Sequence, residues 1–476
     1  MTPTSASLQQ RFRQLVMAAV EEALRSLATI KAAKHYIGPY YGWTEVSISS
    51  NGLPTFSKPL LSGPPDYTKA FGPDSPLKTD DLTSFRALAD FLSKEEAVCS
   101  RVLPLERAND TAVFFVMVSL IPLDLADRFI HVNNTLTFSE PEFNAIYEPF
   151  ARMCFLDSLS FDLYIPILFV LFDFDSVALD NRSSIEKMDR PFQLSRSRVT
   201  LYGSGVHESV LPGASHSLVL RDRCWDVNGC RSLHDEVHSL HAYPLDLIDA
   251  FFAALRVVTN AETGYAQIIV RPKDWAINYC ADLPPLCGTS LRRYPDRLDN
   301  FAWLREPPLV LKGAADRLGK VYRHLASAND KRLRLAWRRL NLCFSRSEEE
   351  DRILDVTIAL EALLADNEPQ EISHKISLRM AALSKLDPNI GGSPASVLRS
   401  MKKIYRYRSA VVHGTEKAPK LSSLEVQVGK RVSTTELAIW YLRRVLLLFA
   451  DRPSLLDPQL IDDELLLGWC SDNTKR

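Results

Sequence analysis

Arg408 and His413 stand five positions apart in the stretch YRYRSAVVHG, Tyr405–Gly414. A guanidinium can stabilise charge that builds on phosphate oxygens, and an imidazole near neutral pH can move a proton. The pair therefore has the chemistry of phosphodiester cleavage. Segment 394–413 reads as a helix. At about 100° per residue, Val397, Met401, Ile404, Tyr405, Val411 and Val412 share one face, with Arg408 near its middle. His413 falls about 140° from Arg408 on the same wheel. Gly414 follows it, as a helix-ending glycine does, so the imidazole sits at the last turn, where the helix dipole favours its protonated form.

Two neighbouring segments also put a charge inside an apolar stripe. In EISHKISLRMAALSKL the stripe Ile372, Ile376, Met380, Leu383 and Leu386 contains Arg379. RILDVTIALEALLA is apolar nearly all round, and Glu361 lies on its wheel between Leu354 and Thr357. A buried charge without a partner costs several kcal/mol, so Arg379 and Arg408 are expected to meet acids or to reach a cleft, with Glu361 the natural partner. Two arginines against one glutamate leave surplus positive charge, which suits a phosphate site. The plain alternative is a structural ion pair that sets helix register.

These three segments, EDRILDVTIALEALL, EISHKISLRMAALS and KIYRYRSAVVHG, together with AWRRLNLCFSR upstream, resemble the HEPN superfamily, in particular its Apea-like branch of bacterial defence proteins. The resemblance covers roughly residues 330–450, and Arg408 with His413 fits the R-x4-6-H pattern in its four-residue form. It implies an all-α bundle, often a homodimer, acting as a metal-independent ribonuclease without a cofactor. Arg408 and His413 would be catalytic, with Glu361, Arg379 and Ser409 in support. Ser409 stands where active relatives often carry Asn, His or Asp. The implied role is RNA cleavage in anti-phage abortive infection, set off by a phage-derived or cellular trigger at the N-terminal part. The alternative is a non-catalytic module for dimerisation or RNA binding.

A second constellation is Cys224, Cys230, His234, His238 and His241, all metal-ligand types, with the first two histidines one helical turn apart. The spacing matches no zinc module, and a surface helix is the alternative.

The elements that must position these residues divide in two. Residues 7–33 read as a helix. EPEFNAIYEPFARMCFL and LDLIDAFFAALRVV read as helices too, whereas TAVFFVMVSLIPL, YIPILFVLFDFD, SRVTLYG and YAQIIVRP read as strands. The Pro- and Gly-rich residues 51–76 read as loop. From about residue 300 every segment reads as helix: 313–327, 330–343, 347–365, 372–386, 394–413 and 432–451. The expected fold is α+β, with a mixed domain at 1–300 and an all-α domain at 301–476. The acidic, apolar stretch 454–470 is either a short docking helix or the edge of the core.

The chain has 476 residues, 46% hydrophobic and 24% charged, with a formal net charge of -1, so no global excess of positive charge advertises nucleic acid and a basic site would be local. Its eight cysteines show no disulfide-framework spacing, the N-terminus lacks a signal-peptide core, and no apolar run is long enough to span a bilayer. A cytoplasmic protein with no membrane partner is expected. No Gly-rich phosphate loop or serine nucleophile elbow points to a small-molecule enzyme.

Overall fold

The computed structural model describes residues 3–468 apart from 61, 73, 105–109, 200–203, 367, 369, 417, 428 and 429. The fold is α+β. Two compact units share the chain. The first comprises Met1–Pro166, Lys187–Tyr243 and Gln267–Leu291; the second comprises Ile167–Glu186, Pro244–Ala266 and Arg292–Arg476. The C-terminal bundle thus takes in two earlier segments of chain.

The first unit opens with helix α1 (Pro3–Ala32), which packs on α2 (Thr83–Lys94) and α3 (Thr111–Asn133). Phe12, Val16, Ala19, Val20, Ala23 and Leu24 are buried with no exposure, as their helical spacing requires. The run 111–123, which reads as a strand in sequence, is the first half of α3. Its β-branched and aromatic residues favour a strand locally. The run is capped as a helix, however: Asp110 accepts from the backbone N–H of Ala112 at 2.7 Å, and Asn134 closes the far end in the left-handed conformation. A short apolar run cannot tell a strand from a buried helix by periodicity, and here burial along 23 residues decides for the helix. Within the expected loop, Pro54–Ser57 pairs antiparallel with Glu45–Ile48.

Helix α4 (Glu140–Phe155) leads into strand β1 (Ser158–Pro166). Further along come α5 (Arg190–Arg196), β2 (His216–Asp226) and α6 (Cys230–His238). Helix α7 (Leu245–Thr259) belongs to the second unit, and β3 (Tyr265–Pro272) and β4 (Cys287–Arg293) return to the sheet. Neighbouring strands run in the order β2-β1-β3-β4, and β1 is antiparallel to both β2 and β3. The apolar stretch 164–175 is not one strand. β1 stops at Pro166, Phe169 takes a positive φ of 53°, and Leu171–Phe172 pairs with Leu309–Val310. Of the expected strand at 197–203, residues 197–199 form a turn and 200–203 lie outside the described residues.

In the second unit the helices are α8 (Ala315–Ala326), α9 (Lys331–Ser345), α10 (Glu349–Leu364), α11 (Ile372–Leu383), α12 (Pro394–Val412) and, after a hairpin, α13 (Thr434–Asp451). The hairpin strands β5 (Ser423–Gln427) and β6 (Lys430–Ser433) lie in the gap between the expected helical segments 394–413 and 432–451 and take the first two residues of the second. Alternation in SLEVQ is too short to outweigh the helical segments around it. Helix α10 touches α9, α11, α12 and α13, which is why it is apolar nearly all round. Residues 458–466 coil in short helical turns against α11. Among the described residues no helix is long and apolar enough to cross a membrane.

Candidate functional site

Helix α12 starts where the sequence signals a start. Ser393 caps it by accepting the backbone N–H of Ser396 at 3.2 Å, and Pro394 occupies the first turn, where its missing N–H is harmless. Val397, Met401, Ile404 and Tyr405 are buried along one face. The helix ends in a Schellman motif. The Thr415 N–H donates to the Ala410 carbonyl at 3.0 Å and the Gly414 N–H to the Val411 carbonyl at 3.1 Å. Gly414 has a φ of +58°, the left-handed region where a Cβ is unfavourable. His413 is the C-cap residue, exposed, with its backbone N–H on the Ser409 carbonyl.

Arg408 is half-buried on the opposite side, within the apolar face. Its Nε is buried with no hydrogen-bond partner among the described residues. One turn earlier, the hydroxyl of Tyr405 is buried beside the Glu361 carboxylate. Burial, and then the charge of Glu361 on α10, push the Tyr405 phenol well above its ordinary range, while Arg408 pulls it back. Glu361, Tyr405 and Arg408 thus share one neighbourhood, but Arg408 and Glu361 form no ion pair. An unmet buried donor costs about 1–3 kcal/mol, a cost that Arg256, Arg297 and Arg334 in the same unit carry as well.

The exposed face of α12 carries a second pattern. Arg399, Lys402, Lys403 and Arg406 fall within an arc of about 100°, and His413 lies on the same arc, with Ser409 at its edge. Arg399, Lys403, Arg406, Ser409 and His413 are exposed. None of the four cations has an acidic partner among the described residues. Like charges three and four apart weaken a helix by a few tenths of a kcal/mol per pair, a cost with no structural return here. The stripe runs about 21 Å along the helix and ends at the imidazole.

Arg379 behaves differently from the expectation that it meets Glu361. It is 4% exposed and saturated. Its Nε donates to Asp462 at 2.9 Å, its Nη2 to Asp462 at 2.6 Å and to Asp366 at 2.8 Å, and its Nη1 to the Leu364 carbonyl at 2.7 Å. Its hydrogen bond, followed by that of Lys375, pulls the Asp366 carboxyl down to about 2. Asp366 and Asp462 are the residues that sequence reasoning missed. Asp462 lies 83 positions away, and its only signal was an acidic apolar tail able to dock. Tyr405 was also missed as a polar group, because it reads as one more member of the apolar face.

The cysteine and histidine constellation lies in the first unit. Cys224 is exposed on β2, while Cys230 is buried on α6 with its thiol pushed up to about 11 by burial. The rings of His234 and His238 meet edge to face at 4.3 Å, and burial, then the charge of His234, lowers the His238 pKa. His241 follows in a separate helical turn, Leu240–Ala242. Among the described residues no three His, Cys, Asp or Glu side chains come close enough to hold a metal ion. No protein-family model, curated protein or solved structure matches this chain.

Proposed function

We propose that the chain is a metal-independent endoribonuclease of the HEPN type, acting as an anti-phage effector. The observation that carries this reading is the helix α12 itself. It buries a guanidinium nitrogen with no partner and ends in an exposed imidazole that continues a stripe of unpaired cations. Cations without acids attract an anion, and a row of them attracts a polyanion. In the proposed reaction the ribose 2′-oxygen attacks the adjacent phosphorus and the bond to the 5′-oxygen breaks. The products are a 2′,3′-cyclic phosphate and a 5′-hydroxyl. His413 takes the proton of the 2′-hydroxyl, and an imidazolium returns one to the leaving 5′-oxygen. Arg408 stabilises the charge on the phosphorane oxygens. Ser409 donates to the substrate. DNA lacks the nucleophile and is left intact.

Within one α12 the faces of Arg408 and His413 diverge by about 140°, so the reading requires a homodimer that sets Arg408 of one copy near His413 of the other. The same divergence favours the second reading, a HEPN module that dimerises or binds RNA without cutting it. RNA cleavage in the presence of EDTA, by the full chain and by Arg408→Ala and His413→Ala, separates them. An effector loses cleavage, and growth arrest on expression, in both variants. Equal cleavage in all three proteins removes these residues from the mechanism.

A further inference from the structure

The cysteine and histidine constellation of the first unit does not close into a structural zinc site among the described residues, yet two of its members stand as a pair. His234 and His238 lie one turn apart on α6, both exposed, with ring centroids 4.3 Å apart and ring planes at 78°. Neither ring makes a hydrogen bond or an ion pair among the described residues. Exposed, unbonded rings turn on the picosecond to nanosecond scale, so each can point a nitrogen at a common ion. A nitrogen about 2.1 Å from an ion sets its ring centroid about 3.2 Å away, so two ligands at a right angle put the centroids about 4.5 Å apart and two at a tetrahedral angle about 5.2 Å. The spacing of this pair matches the right-angled set.

Both histidines line a cavity of about 320 Å³, whose wall also includes Asn278 and Cys280. That stretch of wall is fixed. Asn278 and Ala281 take the left-handed conformation, with φ of 54° and 47°. Ala281 is tied by its N–H to the Tyr40 hydroxyl at 2.9 Å and by its carbonyl to Arg128 at 2.7 Å. The cavity therefore stays open beside the pair. No third His, Cys, Asp or Glu among the described residues joins the two imidazoles, so water fills the remaining positions on an ion. Structural zinc takes four protein ligands at tetrahedral angles, whereas Ni²⁺ and Cu²⁺ accept imidazole and water at right angles. We propose that His234 and His238 chelate a divalent ion of the nickel or copper type, with water completing its shell on the cavity side. This assignment stands apart from the nuclease reading, because it lies in the first unit and uses none of the residues of α12.

Calorimetric titration of the untagged full chain with Ni²⁺, Cu²⁺ and Mg²⁺ tests it. Ni²⁺ binds with a Kd below about 100 µM, Cu²⁺ binds more tightly, and Mg²⁺, which takes oxygen ligands, gives no heat. His234→Ala and His238→Ala each weaken Ni²⁺ binding by about tenfold or more, because the second imidazole no longer adds to the first. His241→Ala removes the exposed histidine of the next helical turn and leaves Ni²⁺ binding unchanged. Electron paramagnetic resonance of the Cu²⁺ complex shows two coordinating imidazole nitrogens, and one in either single variant. All three histidines are exposed, so the variants fold, as circular dichroism checks. EDTA empties this site without bearing on cleavage at α12, so the two readings fail separately. A Kd for Ni²⁺ weaker than about 100 µM, Ni²⁺ binding untouched by His234→Ala and His238→Ala, or an equal loss in His241→Ala overturns the assignment.

Discussion

Two arginines on adjacent helices, Arg379 on α11 and Arg408 on α12, both point into apolar stripes and end in opposite states. Every nitrogen of Arg379 has a partner: two carboxylates and a carbonyl. Arg196 in the first unit is treated the same way, with hydrogen bonds to Gln193, Gln267 and the carbonyls of Leu211, Pro212 and Ala214. Arg408 keeps a buried Nε bare. A saturated guanidinium holds a fold together. In the proposed reading, the bare one on α12 is left for a substrate phosphate.

The comparison breaks most sharply on activity. Arg408→Ala and His413→Ala should each lower RNA cleavage by roughly 10²–10⁴-fold, the usual range for losing a proton-transfer or charge-stabilising group, with little change in thermal unfolding. If instead Arg408→Ala unfolds the protein and Arg379→Met only lowers cleavage, the two roles are reversed.

Arg379→Met should destabilise the chain by about 2–4 kcal/mol while leaving any cleavage chemistry intact, as read by denaturant unfolding. The loss sits at or below the full range for breaking a buried pair because Asp366 and Asp462 stay about a third exposed. The same clamp sets a pH window. The folded pKa of Asp366 is depressed to about 2 from 3.8, so its contribution is fully present above about pH 4 and drains away as pH falls toward 2. Unfolding followed across that range should show the slope, and Arg379→Met should flatten it.

Smaller effects sharpen the contrast. Gly414→Ala forces a Cβ into the left-handed cap and should cost about 1 kcal/mol, read as a lower melting temperature. Lys402→Ala with Lys403→Ala should leave stability nearly unchanged. The double variant should weaken RNA binding about equally for all sequences and lower the salt slope by one to two. Tyr405→Phe removes a buried hydroxyl that lies beside Glu361 and should cost no more than about 1 kcal/mol, read by denaturant unfolding.

Much of the bundle was legible because its helices carry long periodic stripes with marked ends. Segments 330–343, 347–365 and 394–413 correspond to Lys331–Ser345, Glu349–Leu364 and Pro394–Val412. Ser393 with Pro394 and His413 with Gly414 are local signals that fix both ends of α12. The run 111–123 failed because local β preference and buried helix share one composition, and the hairpin at 423–433 failed because four or five residues carry too little pattern. Around the site, the placement of Arg408 inside an apolar face followed from the wheel alone. The partners of Arg379 did not, since a wheel reports which way a side chain points and is silent on what waits across the gap.

The C-terminal turns at 458–466 pack on α11 with Asp462 seated on Arg379. This segment therefore works as a peg rather than a fringe. A deletion ending at Leu460, or a bulky fusion placed between the peg and α13, would leave a guanidinium with one carboxylate in place of two. Trimming at that end would be felt in the middle of the bundle.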